Sequence, residues 1–144
     1  MLSLSAIATL LCNLQSDGRK VIAPVRDNDV ISLAEIDTLD DLPSGWTERQ
    51  DGGTYQLERL ERPELFGHAT PAMSWKKWLY PERTMLARAT RDGGSVAIEE
   101  PPLEAERLAF FGIRSCDVLS LDILDRVFLD PVDPTYASRR AGLF

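Results

Sequence analysis

One segment constrains the fold more than any other. Leu108-Ala109-Phe110-Phe111 strings apolar residues together without alternation, the pattern of a short strand buried on both faces. Gly112 then permits a sharp backbone turn, residues 113–117 form a tight connection, and residues 118–128 read as an amphipathic helix. Asp122, Asp125 and Arg126 form the polar stripe of that helix. Such a strand belongs inside a sheet with helices laid on it, not on an open surface.

The rest of the chain supplies the other layers. Leu4, Ile7, Leu11 and Leu14 recur at i, i+3, i+7 and i+10, one face of a helix that Ser16-Asp17-Gly18 brings to an end. Cys12 lies near that face and is expected to be a small core residue. Residues 20–25 and 29–33 read as two short strands, with Arg26-Asp27-Asn28 as a hairpin turn. Residues 37–45 are dense in turn formers and lead as a loop to Trp46. Asp51-Gly52-Gly53 is a second turn, and residues 54–60 alternate like a half-buried strand.

Ser74 suits the cap of a short helix with Trp75, Trp78 and Leu79 on one face and Lys76 and Lys77 facing elsewhere. Pro81 predicts the first position of a further helix, with Glu82 at its start, Arg88 and Arg91 near its end, and Gly93-Gly94 closing it. Residues 95–98 read as a strand, residues 99–106 as an acidic loop, and residues 130–136 as another loop. The tail, residues 137–144, stops as though an apolar strand were beginning, so the chain is expected to be a piece of a longer protein. The expected architecture is α+β or α/β: one domain over residues 1–144, a mixed β-sheet flanked by helices.

Composition narrows the function classes. With 144 residues, 44% of them apolar and 27% charged, the chain can bury a core and is not disordered. A formal charge of −7 argues against nucleic acid and anionic membrane as partners. No apolar run reaches the roughly 18 residues of a membrane-spanning helix. The opening residues lack a positive n-region, so they do not read as a secretion signal, and the chain is placed in the reducing cytoplasm. Two cysteines and one histidine cannot by themselves build a four-thiolate iron–sulfur site or a Cys/His zinc site.

The strand–turn–helix at Gly112-Ile113-Arg114-Ser115-Cys116-Asp117 is the best place for chemistry. Cys116 falls at or just before a helix start, where unpaired N–H groups favour negative charge. Arg114 lies two residues away and adds positive potential, which would favour a thiolate, the form that ligates metal or attacks a disulfide. The plainer alternative is that Ser115 or Asp117 caps the helix while Cys116 packs beneath it. His68 has no nucleophile context and is expected on a loop surface. Asp37, Asp40 and Asp41 lack EF-hand spacing and read as turn or capping residues. Trp75 and Trp78 are core or interface, and no phosphate-cradling glycine loop occurs.

Taken in order, several stretches resemble one family. They are Val21-Ile22-Ala23-Pro24-Val25, Asp41-Leu42-Pro43-Ser44-Gly45-Trp46, Tyr55-Gln56-Leu57, Leu65-Phe66-Gly67-His68 and Ser74-Trp75-Lys76. Gly112 to Asp117, Asp125-Arg126-Val127-Phe128 and Asp133-Pro134-Thr135-Tyr136-Ala137-Ser138-Arg139-Arg140 continue the series. The chain resembles the N-terminal region of 4Fe-4S dicluster electron-transfer subunits, a family that includes the beta subunit of cytoplasmic NiFe sulfhydrogenases and the corresponding subunit of anaerobic sulfite reductase. In that family Cys-rich, ferredoxin-like segments follow this region, and the activity is electron relay from one partner to another, a flavin-containing subunit on one side and a catalytic metal subunit on the other.

The resemblance implies an accessory domain that scaffolds or docks the cluster-bearing part. That domain is not catalytic on its own but is part of an oxidoreductase complex. Its partners would be the flavin and metal subunits together with the remainder of the iron–sulfur subunit. Cys116 is the residue it carries over as a redox or cluster-ligand candidate, a metal ligand only in the full-length assembly. Gly112, Arg114 and Asp117 form the supporting turn. No cofactor is expected on residues 1–144 themselves; the 4Fe-4S clusters would lie in the full-length subunit. Two other readings stand beside it. One is a purely structural interaction module using Trp46, Trp75, Lys76 and Trp78 as interface residues; the other is a thiol-dependent enzyme using Cys116 as nucleophile.

Overall fold

The computed structural model describes residues 3–69, 71, 73–101, 106–129 and 133–143. Helix α1 (Leu4–Ser16) begins where the Ser3 hydroxyl accepts the Ala6 N–H at 3.2 Å, and ends at Asp17 and a left-handed Gly18. Leu11 is its buried anchor and Leu14 packs beside it. Cys12 is exposed, which corrects the expectation of a core residue. One step of about 100° around the helix carries it off the face that Leu11 buries.

Strand β1 (Lys20–Asp27) follows. Val21, Ile22, Ala23 and Pro24 are all buried, so β1 is covered on both faces and lies at the sheet centre. It pairs antiparallel with β2 (Val30–Glu35) through a turn at Asn28 and Asp29, and parallel with β7 (Leu108–Phe110). The sheet order is β2-β1-β7, a mixed sheet as the sequence predicts. Pro24 is tolerated in this central strand for a simple reason. Val21 C=O accepts from Ile36 N, so alternate residues bond to β2 and the Pro24 nitrogen turns to the other side. On that side the pairing with β7 has already ended at the bond from Phe111 N to Ile22 O.

Two hairpins attach to this sheet. Strands β3 (Trp46–Asp51) and β4 (Thr54–Arg59) pair in antiparallel register across Gly52-Gly53. The Tyr55 hydroxyl accepts the Ile31 N–H at 3.2 Å and ties them to β2. Strands β5 (Arg88–Asp92) and β6 (Ser95–Glu99) form the second hairpin. This corrects the helix expected after Pro81. Gly93 and Gly94 both take positive φ and close a two-residue turn; Arg88 and Arg91, expected near a helix end, lie on β5 opposite Glu99 and Val96.

Between the hairpins, α2 (Lys76–Leu79) is a single turn. Helix α3 (Ser115–Phe128) starts three residues earlier than predicted. Helix α4 (Pro134–Gly142) replaces a predicted loop: the Asp133 carboxylate accepts from Tyr136 N at 2.9 Å, and Pro134 takes the first helical position. The strand-like ending is confined to Leu143, which bridges in parallel to Leu108. Residues 102–105, 130–132 and 144 of the predicted loops and tail lie outside the described residues. Among the described residues four α-helices and seven strands make an α+β fold.

Apolar side chains gather in three clusters. The first joins α1 to Val21, Ala23 and Ala109. Trp75 packs with Ile22, Leu33 and Leu108 in the second, and Leu79, Leu121 and Tyr136 join α2, α3 and α4 in the third. No helix among the described residues is long and apolar enough to cross a membrane.

Candidate functional site

The turn between β7 and α3 is held by a contact that only glycine allows. Gly112 sits at φ +80°, and a Cβ there would run into the Phe66 ring. Phe66 in turn packs near Phe111, centroids 5.9 Å apart. Arg114 is the N-cap residue of α3, and its guanidinium donates to the His68 carbonyl. The cation suggested by the sequence as a neighbour of the thiol is thus engaged in pinning the segment 66–69 to the helix start.

His68 is buried, not on a loop surface, because Phe66, Arg114 and Glu48 enclose its segment. The Ala69 N–H donates to Glu48 Oε1 at 2.7 Å. His68 Nδ1 donates to the Ala69 carbonyl at 2.6 Å. Three buried side-chain atoms near this turn have no hydrogen-bond partner among the described residues: His68 Nε2, Glu48 Oε2 and Asp117 Oδ2. Burial of an isolated histidine carries no periodic signal, so the sequence does not foreshadow it.

Cys116 occupies the second position of α3 and is exposed, as is Arg114. Of the two arrangements the sequence leaves open, a thiol packed under the helix is excluded by this exposure. No contact joins Cys116 to His68, so the base a nucleophilic thiol requires is not supplied by the chain's one imidazole. Among the described residues no group of three His, Cys, Asp or Glu side chains is placed to hold a metal ion.

The predicted interface residues separate. Trp75 is only 2% exposed, with its ring 4.9 Å from Phe110, and so belongs to the core instead of to a surface. Trp78 is half-buried with its indole N–H unpaired among the described residues, and Lys76 is exposed. Trp46 is half-buried and reaches the surface between two guanidinium groups, Arg26 at 4.1 Å and Arg59 at 4.2 Å from the ring centroid. It rims a cleft of about 1030 Å³ whose floor includes Val25, Leu42 and Pro43.

The structure shows a further surface that the sequence pattern does not single out. Helix α3 buries Leu121 and packs the half-buried Leu124 and Phe128 beside it, yet Leu119, Ile123 and Val127 face solvent. The signal lay in the count: the helix has more apolar residues than one face can bury. Asp125, assigned to the polar stripe, is drawn inward by the Tyr136 hydroxyl and Arg140. Comparison with protein-family models, with curated proteins and with solved structures finds no match to this chain.

Proposed function

We propose that the chain is the N-terminal scaffold and docking domain of an iron–sulfur electron-transfer subunit. In this reading it works in the cytoplasm with a flavin-containing and a catalytic metal subunit, of hydrogenase or sulfite reductase type. The observation that carries the reading is the placement of Cys116. Its thiol is exposed at the start of α3, on a turn fixed by Gly112 against Phe66 and by Arg114 on the His68 carbonyl. A thiol held on a rigid element outside the core can meet a cluster whose remaining ligands come from another segment. Both cysteines are free, which suits a reducing compartment.

The chain's own residues position that thiol; a cluster, when bound in the full assembly, would supply the electron transfer. Cys116→Ala in the complete subunit tests the ligand role. The expected result is lower iron content per subunit, with slower electron transfer between the partners. Unchanged iron and unchanged transfer would overturn it and leave a docking module with no redox part. A specific observation favours that second reading: Trp46, between its two arginines, rims an open cleft of the size of a peptide or side-chain docking site.

A further inference from the structure

Helix α3 turns an apolar stripe outward. Leu119, Ile123 and Val127 follow one another at i, i+4 and i+8, with 63%, 62% and 57% of their surfaces exposed. The opposite side of the same helix is already committed to the core through Leu121, Leu124 and Phe128. A helix on the surface of a globular protein has one such stripe, so the second calls for a partner. Along one flank of the outer stripe stand Asp122 and Arg126, both exposed and neither in an ion pair among the described residues.

We propose that this stripe is the contact face of a homodimer, in which two α3 helices pack antiparallel about a two-fold axis beside Ile123. The charges select this occupant. In an antiparallel pair the two-fold axis sets each flank against the same flank of the other helix, read in reverse. Asp122 then faces the partner's Arg126, and Arg126 faces the partner's Asp122. Leu119 packs on the partner's Val127, and Ile123 meets its own copy at the axis. A parallel pair would set the charged flank against Ser120 and Leu124, which offer it no counter-charge. The surface is therefore complementary to itself in one orientation.

The dimer is independent of the iron–sulfur reading and compatible with it. Cys116 precedes Ile123 by two helical turns, roughly 10 Å along the axis, so the thiol lies at the outer end of the contact.

Sedimentation equilibrium of the whole chain, from micromolar to near-millimolar concentration, tests the proposal. The average mass should rise toward twice the monomer value. A monomer at every concentration would overturn the dimer and assign the stripe to a different protein. Ile123→Asp, at an exposed position, should stay monomeric with an unchanged far-UV circular dichroism spectrum; a dimer that survives it would place the contact elsewhere and overturn the proposal. Asp122→Arg should weaken association about tenfold by setting arginine against arginine. Adding Arg126→Asp to that variant should restore it, and failure to restore would overturn the antiparallel register.

Discussion

Asp125 joins the last two helices, and its removal is the sharpest test of how the C-terminal third holds together. Its Oδ1 accepts from the Tyr136 hydroxyl at 2.7 Å and from Arg140 Nε at 3.0 Å. Tyr136 has no exposed surface. Asp125→Ala therefore strands a phenolic O–H in the core, at a cost of about 1–3 kcal/mol. It also takes the partner from Arg140, whose side chain is 32% exposed, so that loss adds no more than about 1 kcal/mol. The sum is about 1–4 kcal/mol. Tyr136→Phe removes one hydrogen bond and leaves Asp125 with Arg140, which should cost only about 1 kcal/mol.

Urea unfolding at neutral pH, followed by tryptophan fluorescence, to which buried Trp75 contributes, measures both variants. Equal losses, or an Asp125→Ala loss below about 0.5 kcal/mol, would refute the assignment of Asp125 as the joint. A pH series adds a second readout. Burial raises the Asp125 pKa, but the hydrogen bonds from Arg140 and Tyr136 outweigh it and hold the carboxyl below its ordinary range. The stability this gives is complete above the unfolded carboxyl value, about 4, and is lost as pH falls through the lower folded value. Asp125→Ala should flatten that acid limb. At the other end, burial and the Asp125 carboxylate push the Tyr136 phenol upward, so its contribution is lost as pH rises beyond the ordinary phenol value.

Two further outcomes follow from the turn and the thiols. Gly112→Ala forces a left-handed alanine, at about 1–2 kcal/mol, and drives its methyl group into the Phe66 ring. Its melting temperature should fall clearly below wild type, and an unchanged value would show that the turn is not held as described. A thiol reagent should modify both Cys12 and Cys116 in the native protein without denaturant, since both are exposed; a thiol that reacts only after unfolding would contradict that placement.

What could be read from the sequence was what periodicity and unbroken apolar runs record. Leu11 and Leu14 marked the inner face of α1, residues 108–111 marked the covered strand, and Gly112 marked the turn. The mixed sheet followed from their order. Where pairing, not pattern, decides the structure, the sequence was silent. Strand β3, Trp46-Thr47-Glu48-Arg49-Gln50-Asp51, has little apolar alternation and exists because β4 lies across from it. The glycine pair at residues 93 and 94 reads locally as the stop of a helix, while its positive φ angles close a hairpin. Asp133-Pro134 reads locally as loop chemistry although it begins α4. At the candidate site the sequence places Cys116 at or just before the helix start, and α3, beginning at Ser115, takes it in as its second residue. The burial of His68 and its anchoring by Arg114 depend on contacts far apart in the chain and leave no local trace.

The parallel pairing of β1 with β7 has a consequence for the order in which the molecule is made. Lys20, Val21 and Ile22 reach their partners only when Leu108, Ala109 and Phe110 have left the ribosome. Until then the emerging polypeptide can complete α1 and the β1–β2 hairpin, but one border of its future central strand stays open. Such an unsheltered strand border is a template for unwanted pairing with other nascent chains. Synthesis of everything between Ile36 and Arg107 is thus an interval of vulnerability, and slowing translation there should raise the demand for chaperones.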